Sequence, residues 1–361
     1  MGPGPSDVYP EVLEALARPC IGHLDPAFIA FMDELNELLR GAFLTRNAAT
    51  LPISAPGSAG MECCLVNLLE PGNTIVIAVN GVFGTRMLEI ARRCGADPVA
   101  VEFEWGTPVD PDRIDSVLAA HPDAVALAFV HAETSTGVRS DAETLSNLAR
   151  RHGCLSIVDS VTGLAGIELR VDDWGIDAIY SGTQKCLSAP PGLSPVSFSE
   201  RAMARVRARA TPPQSWFLDL ELLTGYWGAG AKRAYHHTAP VNALFGLHEA
   251  LRILHAEGLE QAWARHARNH ARLRDGLEAL GLEFLVAPQY RLPQLNAVRV
   301  PQGVDEARVR AVLLDRHGLE IGAGLGPLAG RIWRIGLMGA SCTEHHVALC
   351  LEALGDALGS A

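Results

Sequence analysis

The chain has 361 residues, 48% of them hydrophobic and 20% charged, with a formal net charge of −11. The acidic balance argues against nucleic acid or an anionic membrane surface as a partner, and no apolar run approaches the length of a membrane span. The length exceeds what one hydrophobic core usually serves and predicts two domains, residues 1–257 and 258–361.

Gly2-Pro3-Gly4-Pro5 cannot be helical and is expected to lie extended across another surface. The same opening lacks the charged and apolar regions of a signal peptide. The eight cysteines form no C-x-x-C pair, and most sit in apolar contexts. Buried reduced thiols are therefore expected, with no metal site, in a reducing compartment, the cytoplasm.

Asp25 and Pro26 read as N-cap and first position of a helix running to Ala42. Small residues from Ile53 then lead into a helical run, Met61 to Leu69. Small residues let backbone N–H groups approach a ligand, and a helix N-terminus favours an anion. Gly57, Ser58 and Ala59 are thus candidates for a phosphate cradle, although a plain loop and cap would look the same.

From Thr74 the pattern alternates. Strands are predicted at Thr74–Val79, Pro98–Glu102, Ala124–Val130, Cys154–Val158, Asp177–Ser181 and Pro195–Ser199. Helices are predicted at Val82–Cys94, Asp112–Ala120 and Asp141–His152. Repeated βαβ units imply an α/β fold around a mainly parallel sheet. The Ser/Thr-rich stretch His131 to Val138 reads as a turn after a strand.

Pro212 to Gly230 is rich in Trp, Phe, Tyr and Pro and leads to Tyr235-His236-His237-Thr238. Adjacent histidines signal a metal only weakly, because chain neighbours rarely face one ion together. Leu244 to Leu280 reads as helix with a break at Gly258, carrying the chain into the second domain. There the elements predicted are Leu295–Val300, Asp305–His317, Leu319–Gly322, Ile332–Gly336 and Glu344–Leu358. Gly322 to Gly326 is glycine-rich but lacks the G-x-G-x-x-G spacing of a dinucleotide loop. Arg334 lies inside an apolar strand; its fork suits a carboxylate, either a structural partner or a substrate.

Two positions carry chemistry together. Lys185 follows a strand end and precedes Pro190-Pro191-Gly192, with no acid beside it. A lysine so placed can lose its proton and attack a carbonyl. Asp159 closes the preceding buried strand. A strand-end Asp followed one strand later by a Lys is the pairing that pyridoxal 5'-phosphate needs: the lysine bonds the aldehyde, and the aspartate keeps the pyridine nitrogen protonated.

Asp159-Ser160-Val161, Tyr180 to Lys185, Ala189-Pro190-Pro191-Gly192, Gly2 to Ser6, Phe43 to Asn47, Tyr235 to Thr238 and Arg334 to Leu337 together resemble the class V aminotransferases. Within them, the alanine–glyoxylate and serine–glyoxylate branches look most similar. The resemblance implies a fold type I transferase: a large domain with a seven-stranded sheet and a small C-terminal α/β domain. It implies that Lys185 and Asp159 are catalytic and that Phe83 and Val161 flank the cofactor ring. Thr134 and Gln184 would also bind the cofactor, and Arg334 the substrate carboxylate. Tyr235 and Thr238 would come from the second subunit of a homodimer to the phosphate. The reaction implied moves an amino group from L-alanine or L-serine to glyoxylate.

Two other activities stay open. The ureidoglycine–glyoxylate branch shares Gly22, Asp25 and Pro26, but carries Gln where this chain has His23 and Asn where it has Tyr235. Gly22 and His23 are therefore candidate substrate contacts. A cysteine desulfurase would need a reactive cysteine shortly before the arginine, and Ala323 to Arg331 contains none.

Overall fold

The computed structural model describes residues 1–228 and 233–359; Gly230 and Lys232 fall outside that range. Helix α1 (Pro10–Leu16) follows the N-terminal arm and packs on a later helix. It was not expected, because seven residues are too few to display a helical period. Helix α2 (Pro26–Phe43) starts as predicted: the Asp25 carboxylate accepts the Ala27 N–H at 2.8 Å, and Pro26 occupies the first turn. It buries Phe28, Met32, Leu35 and Leu39, one face at helical spacing.

The strands that follow are β1 (Ala49–Ile53), β2 (Thr74–Val79), β3 (Asp97–Glu102), β4 (Ala126–Val130), β5 (Ala132–Glu133), β6 (Val138–Arg139), β7 (Leu155–Asp159), β8 (Ala178–Tyr180) and β9 (Ser194–Phe198). Seven of them form one sheet in the order β1-β9-β8-β7-β4-β2-β3, while β5 and β6 make a small hairpin. Strand β9 runs against both its neighbours, and the other six share one direction. Every residue of β4 and β7 is buried, so the sheet is covered on both faces, which is why these strands read as continuous apolar runs.

The covering helices are α3 (Gly57–Leu68), α4 (Val82–Arg93), α5 (Pro111–Ala120), α6 (Ala142–Arg151), α7 (Glu200–Arg207) and α8 (Leu220–Trp227). Helix α3 starts four residues before the predicted Met61. Strand β1 was not expected, since Pro52 interrupts it. It is tolerated because β1 is an edge strand, where Pro52 lies opposite Pro195 of β9. Helix α8 forms within the aromatic-rich stretch and seats Tyr226 and Trp227 in the main core.

Helices α9 (Val241–Glu257) and α10 (Leu259–Ala279) break at Gly258, whose φ of 90° suits glycine. Beyond them β10 (Leu295–Arg299), β11 (Gly322–Ala323) and β12 (Ile332–Gly336) form an antiparallel sheet in the order β10-β12-β11, joined by α11 (Glu306–His317) and α12 (Glu344–Gly359). Only Gly322 of the strand predicted at Leu319–Gly322 pairs; Leu319 and Ile321 are drawn into a second core with Leu273, Leu313, Trp333 and Leu354. Truncating Leu273 to Ala there would cost about 2–5 kcal/mol.

The N-terminal arm bridges the two sheets. The Gly336 N–H of β12 donates to the Met1 carbonyl at 2.8 Å, and the Ser6 N–H donates to the Gln184 carbonyl at 2.8 Å. The arm therefore spans from the small sheet to the lysine loop.

Candidate active site

Strand β7 delivers Asp159 at its carboxyl end, in register with Tyr180 of β8. One carboxylate oxygen accepts the Val161 N–H at 2.9 Å, and the other accepts the Tyr180 hydroxyl at 2.8 Å. Asp159 is 2% exposed. Burial pushes its carboxyl up to about 7, against the lowering pull of those two hydrogen bonds.

The chain after β8 is pinned at both ends. The Ala189 N–H donates to the Thr183 carbonyl at 3.1 Å, and the Ala340 N–H donates to the Ser188 hydroxyl at 2.8 Å. Lys185 projects from this loop, 8% exposed, and its amine donates to the Pro3 carbonyl of the arm. Burial, and then the charge of Arg334, lower its pKa to about 8.

Helix α3 presents its N-terminus to the same place. A Cβ on Gly57 would lie 3.1 Å from Val161 Cγ2, so glycine permits the close approach. No side chain caps this helix, and the first-turn N–H groups of Gly57 and Ser58 have no intrahelical acceptor. The Ala59 N–H instead donates to the Pro56 carbonyl at 2.7 Å, and Ala59 does not line the cavity. Arg86 was not singled out from the sequence. Its guanidinium donates to the Ser58 hydroxyl at 3.0 Å, lies 4.9 Å from the Phe83 ring centroid, and forms no ion pair among the described residues. The available signal was its spacing of three from Phe83 on one helix.

Gly57, Ser58, Phe83, Arg86, Asp159, Val161, Tyr180, Gln184 and Lys185 line one cavity of about 110 Å³. Larger grooves of about 540 and 690 Å³ lie elsewhere, one beside His131 and Trp174, but among the described residues no lysine lines them.

Arg334 and Thr134 adjoin this cavity without lining it. Arg334 Nε donates to the Ala323 carbonyl at 2.7 Å and Nη1 to the Thr134 carbonyl at 3.4 Å. Arg334 makes no ion pair among the described residues, so its fork is not occupied by a structural carboxylate. The Thr134 hydroxyl is paired with that of Thr162 at 2.6 Å.

The remaining predicted residues gather elsewhere. The His23 and Tyr235 ring centroids are 5.1 Å apart, and the Tyr235 and Thr238 hydroxyls 3.3 Å apart. Gly22 accepts the Asp25 N–H at 3.0 Å in the same loop as His23. None of these four lines the Lys185 cavity of its own chain. His237 Nε2 lies 2.7 Å from the Ser54 hydroxyl, which ties the group to the segment leading into α3. Among the described residues no cluster suited to a metal occurs, and all eight cysteines are free, seven of them buried.

An uncapped helix start, an unpaired Arg86 and a buried Gln184 Oε1 without a partner leave open places for a phosphate and for a polar ring. With a buried acid and a lysine at neighbouring strand ends, the fold and cavity define a pyridoxal-phosphate-dependent transferase. The comparison with known proteins is more specific. Residues 21–332 match the family described as aminotransferase class-V, and the chain belongs to that family; it is a transaminase. It is 40% identical to an alanine–glyoxylate aminotransferase of Drosophila melanogaster, over 100% of this chain and 92% of that protein. It is 39% identical to the (S)-ureidoglycine–glyoxylate transaminase of Bacillus subtilis, over 98% and 89%. A crystal structure of alanine–glyoxylate aminotransferase from Nostoc sp. superposes with a TM-score of 0.97 at 44% identity, covering 99% of this chain and 94% of that one.

Proposed function

We propose that the enzyme transfers the amino group of L-alanine or L-serine to glyoxylate, giving glycine and a 2-oxo acid. The observation that carries this reading is the placement of the buried Asp159 and Lys185 in one cavity, with Arg334 beside it in no ion pair among the described residues. Pyridoxal phosphate, when bound, supplies an aldehyde and a ring that accepts electrons. Lys185 supplies the amine that bonds the aldehyde. Once the donor's amine has displaced it from that bond, the freed Lys185 amine would take the proton from the donor's Cα and later return one to the acceptor's Cα, a proton transfer worth about 10²–10⁴-fold. Its lowered pKa leaves more of the amine neutral near neutral pH than an ordinary lysine would have. Asp159, held by Val161 and Tyr180, would keep the ring nitrogen protonated. Phe83 and Val161 would pack against the ring, and Gln184 would offer it an amide. Gly57, Ser58 and Arg86 would hold the phosphate, and Arg334 would orient the substrate carboxylate.

Tyr235 and Thr238 would reach the phosphate of a second subunit in a homodimer. Their exposure outside the cavity supports this: Tyr235 is 58% exposed. The donor reading rests on His23 and Tyr235, whose ring centroids lie 5.1 Å apart and neither of which carries a side-chain amide. A site built for an amide-bearing donor needs groups that pair with it. A desulfurase reading is opposed by Cys342, which is buried, accepts a contact from Asn269 and has its thiol pKa pushed up by burial. A donor-by-acceptor activity screen tests the assignment: alanine or serine with glyoxylate should give the highest kcat/KM. Ureidoglycine outcompeting both at equal concentration would refute it.

A further inference from the structure

The β5–β6 hairpin carries a carboxylate that the proposed chemistry does not use. Glu133 has no exposed surface. Its Oε2 accepts the Phe83 N–H at 3.2 Å, and its Oε1 accepts both the Ser135 N–H at 3.0 Å and the Ser135 hydroxyl at 2.6 Å. The Gly84 N–H is directed at it as well. Ser135 Oγ in turn accepts the Val82 N–H at 3.1 Å. Val82, Phe83 and Gly84 are the first turn of α4, whose N-cap Gly81 offers no side chain. The orphan donors of that turn are thus satisfied by residues some fifty positions along the chain. Gly81 is required for the approach, because a Cβ there would lie 2.4 Å from the Glu133 side chain.

A carboxylate at a helix N-terminus meets the positive end of the dipole, and bonds to a charged acceptor are stronger than neutral ones. Burial alone raises the Glu133 pKa, while Ser135 and the α4 amides oppose that shift. Helix α4 carries both Phe83 and Arg86 into the cavity. Whatever fixes its first turn therefore fixes the ring's position.

We propose that Glu133 is a positioning residue: it caps α4 from across the fold and so sets the Phe83 ring against the cofactor. This rests on the reading of Phe83 as a ring-stacking residue. The role is tested by a double-mutant cycle on Glu133→Gln and Phe83→Leu. The readouts are the cofactor Kd by absorbance titration, the visible circular dichroism of the bound cofactor, and Tm. Glu133→Gln is expected to weaken cofactor binding about tenfold and to diminish the dichroic band. Phe83→Leu should do likewise, and the double variant should bind no worse than the weaker single variant, within about twofold. Losses that multiply, or an unchanged Kd and dichroism in Glu133→Gln, would overturn the positioning role. An unchanged Phe83→Leu titration would sink the stacking role and the positioning role together, whereas multiplying losses with a normal Phe83 effect sink only the latter. If Glu133→Gln fails to fold, Ser135→Ala takes its place in the cycle. It removes the acceptor of the Val82 N–H and should weaken binding about threefold with the same non-additivity; an unchanged Kd there overturns the role.

Discussion

Asp159 and Tyr235 both belong to motifs that point to one cofactor, yet they stand in opposite settings. Asp159 is 2% exposed and both its oxygens are paired within the chain, whereas Tyr235 is 58% exposed and, among the described residues, its hydroxyl has only a 3.3 Å contact to that of Thr238. Lys185 is buried like Asp159, and the half-buried Phe83 and Val161 line the same cavity; Thr238 is exposed like Tyr235, with the half-buried His23 ring beside it. A buried polar group must be satisfied by its own fold, so its geometry is already determined in one chain. An exposed aromatic with a loosely held hydroxyl carries no such constraint and is free to complete a site on another copy.

The largest expected effect lies in the buried set. Lys185→Ala should lower kcat by about 10⁴-fold or more. Borohydride trapping of the holoenzyme with peptide mapping should label Lys185; a label on Lys232, the chain's other lysine, would refute the assignment. Next, Asp159→Asn should lower turnover by about 10²–10³-fold while changing cofactor affinity far less. Equal turnover would reduce Asp159 to a structural role.

The lysine's pH dependence sharpens the same half of the comparison. Its pKa is lowered to about 8 by burial first and Arg334 second. Carbonyl attack needs the neutral amine, so cofactor capture by the cofactor-free protein should quicken about tenfold per pH unit below 8 and level off above it. The stability sign is the same. The depressed pKa disfavours the charged form in the fold, so this group's cost is full below pH 8 and fades as pH rises toward the unfolded value. A capture rate still climbing steeply at pH 9.5 would show an ordinary lysine.

The exposed set is tested by complementation. If Thr238 serves the neighbour's site in a homodimer, as proposed, mixing Lys185→Ala protein with Thr238→Val protein should restore activity, because one site of each mixed dimer then has both parts intact. Full exchange predicts recovery to about one quarter of wild type, since half the dimers are mixed and each has one good site. No recovery despite demonstrated subunit exchange would place the whole site within one chain.

By itself the sequence determined the α/β alternation, the N-cap at Asp25, and the strand-end Asp159 and Lys185. Each follows from local periodicity or from a residue whose chemistry is unusual in its context. The arm's extended course was equally legible from Gly2 to Pro5, but not that Pro3 would meet Lys185. Strand β1 escaped notice because edge position, which makes Pro52 tolerable, is a property of the sheet. Arg86 reaches Ser58, Tyr180 reaches Asp159, and Glu133 reaches Phe83 only once distant segments are packed together. Local pattern records which face a residue shows; it does not record what that face meets, and only the tertiary structure decided those meetings.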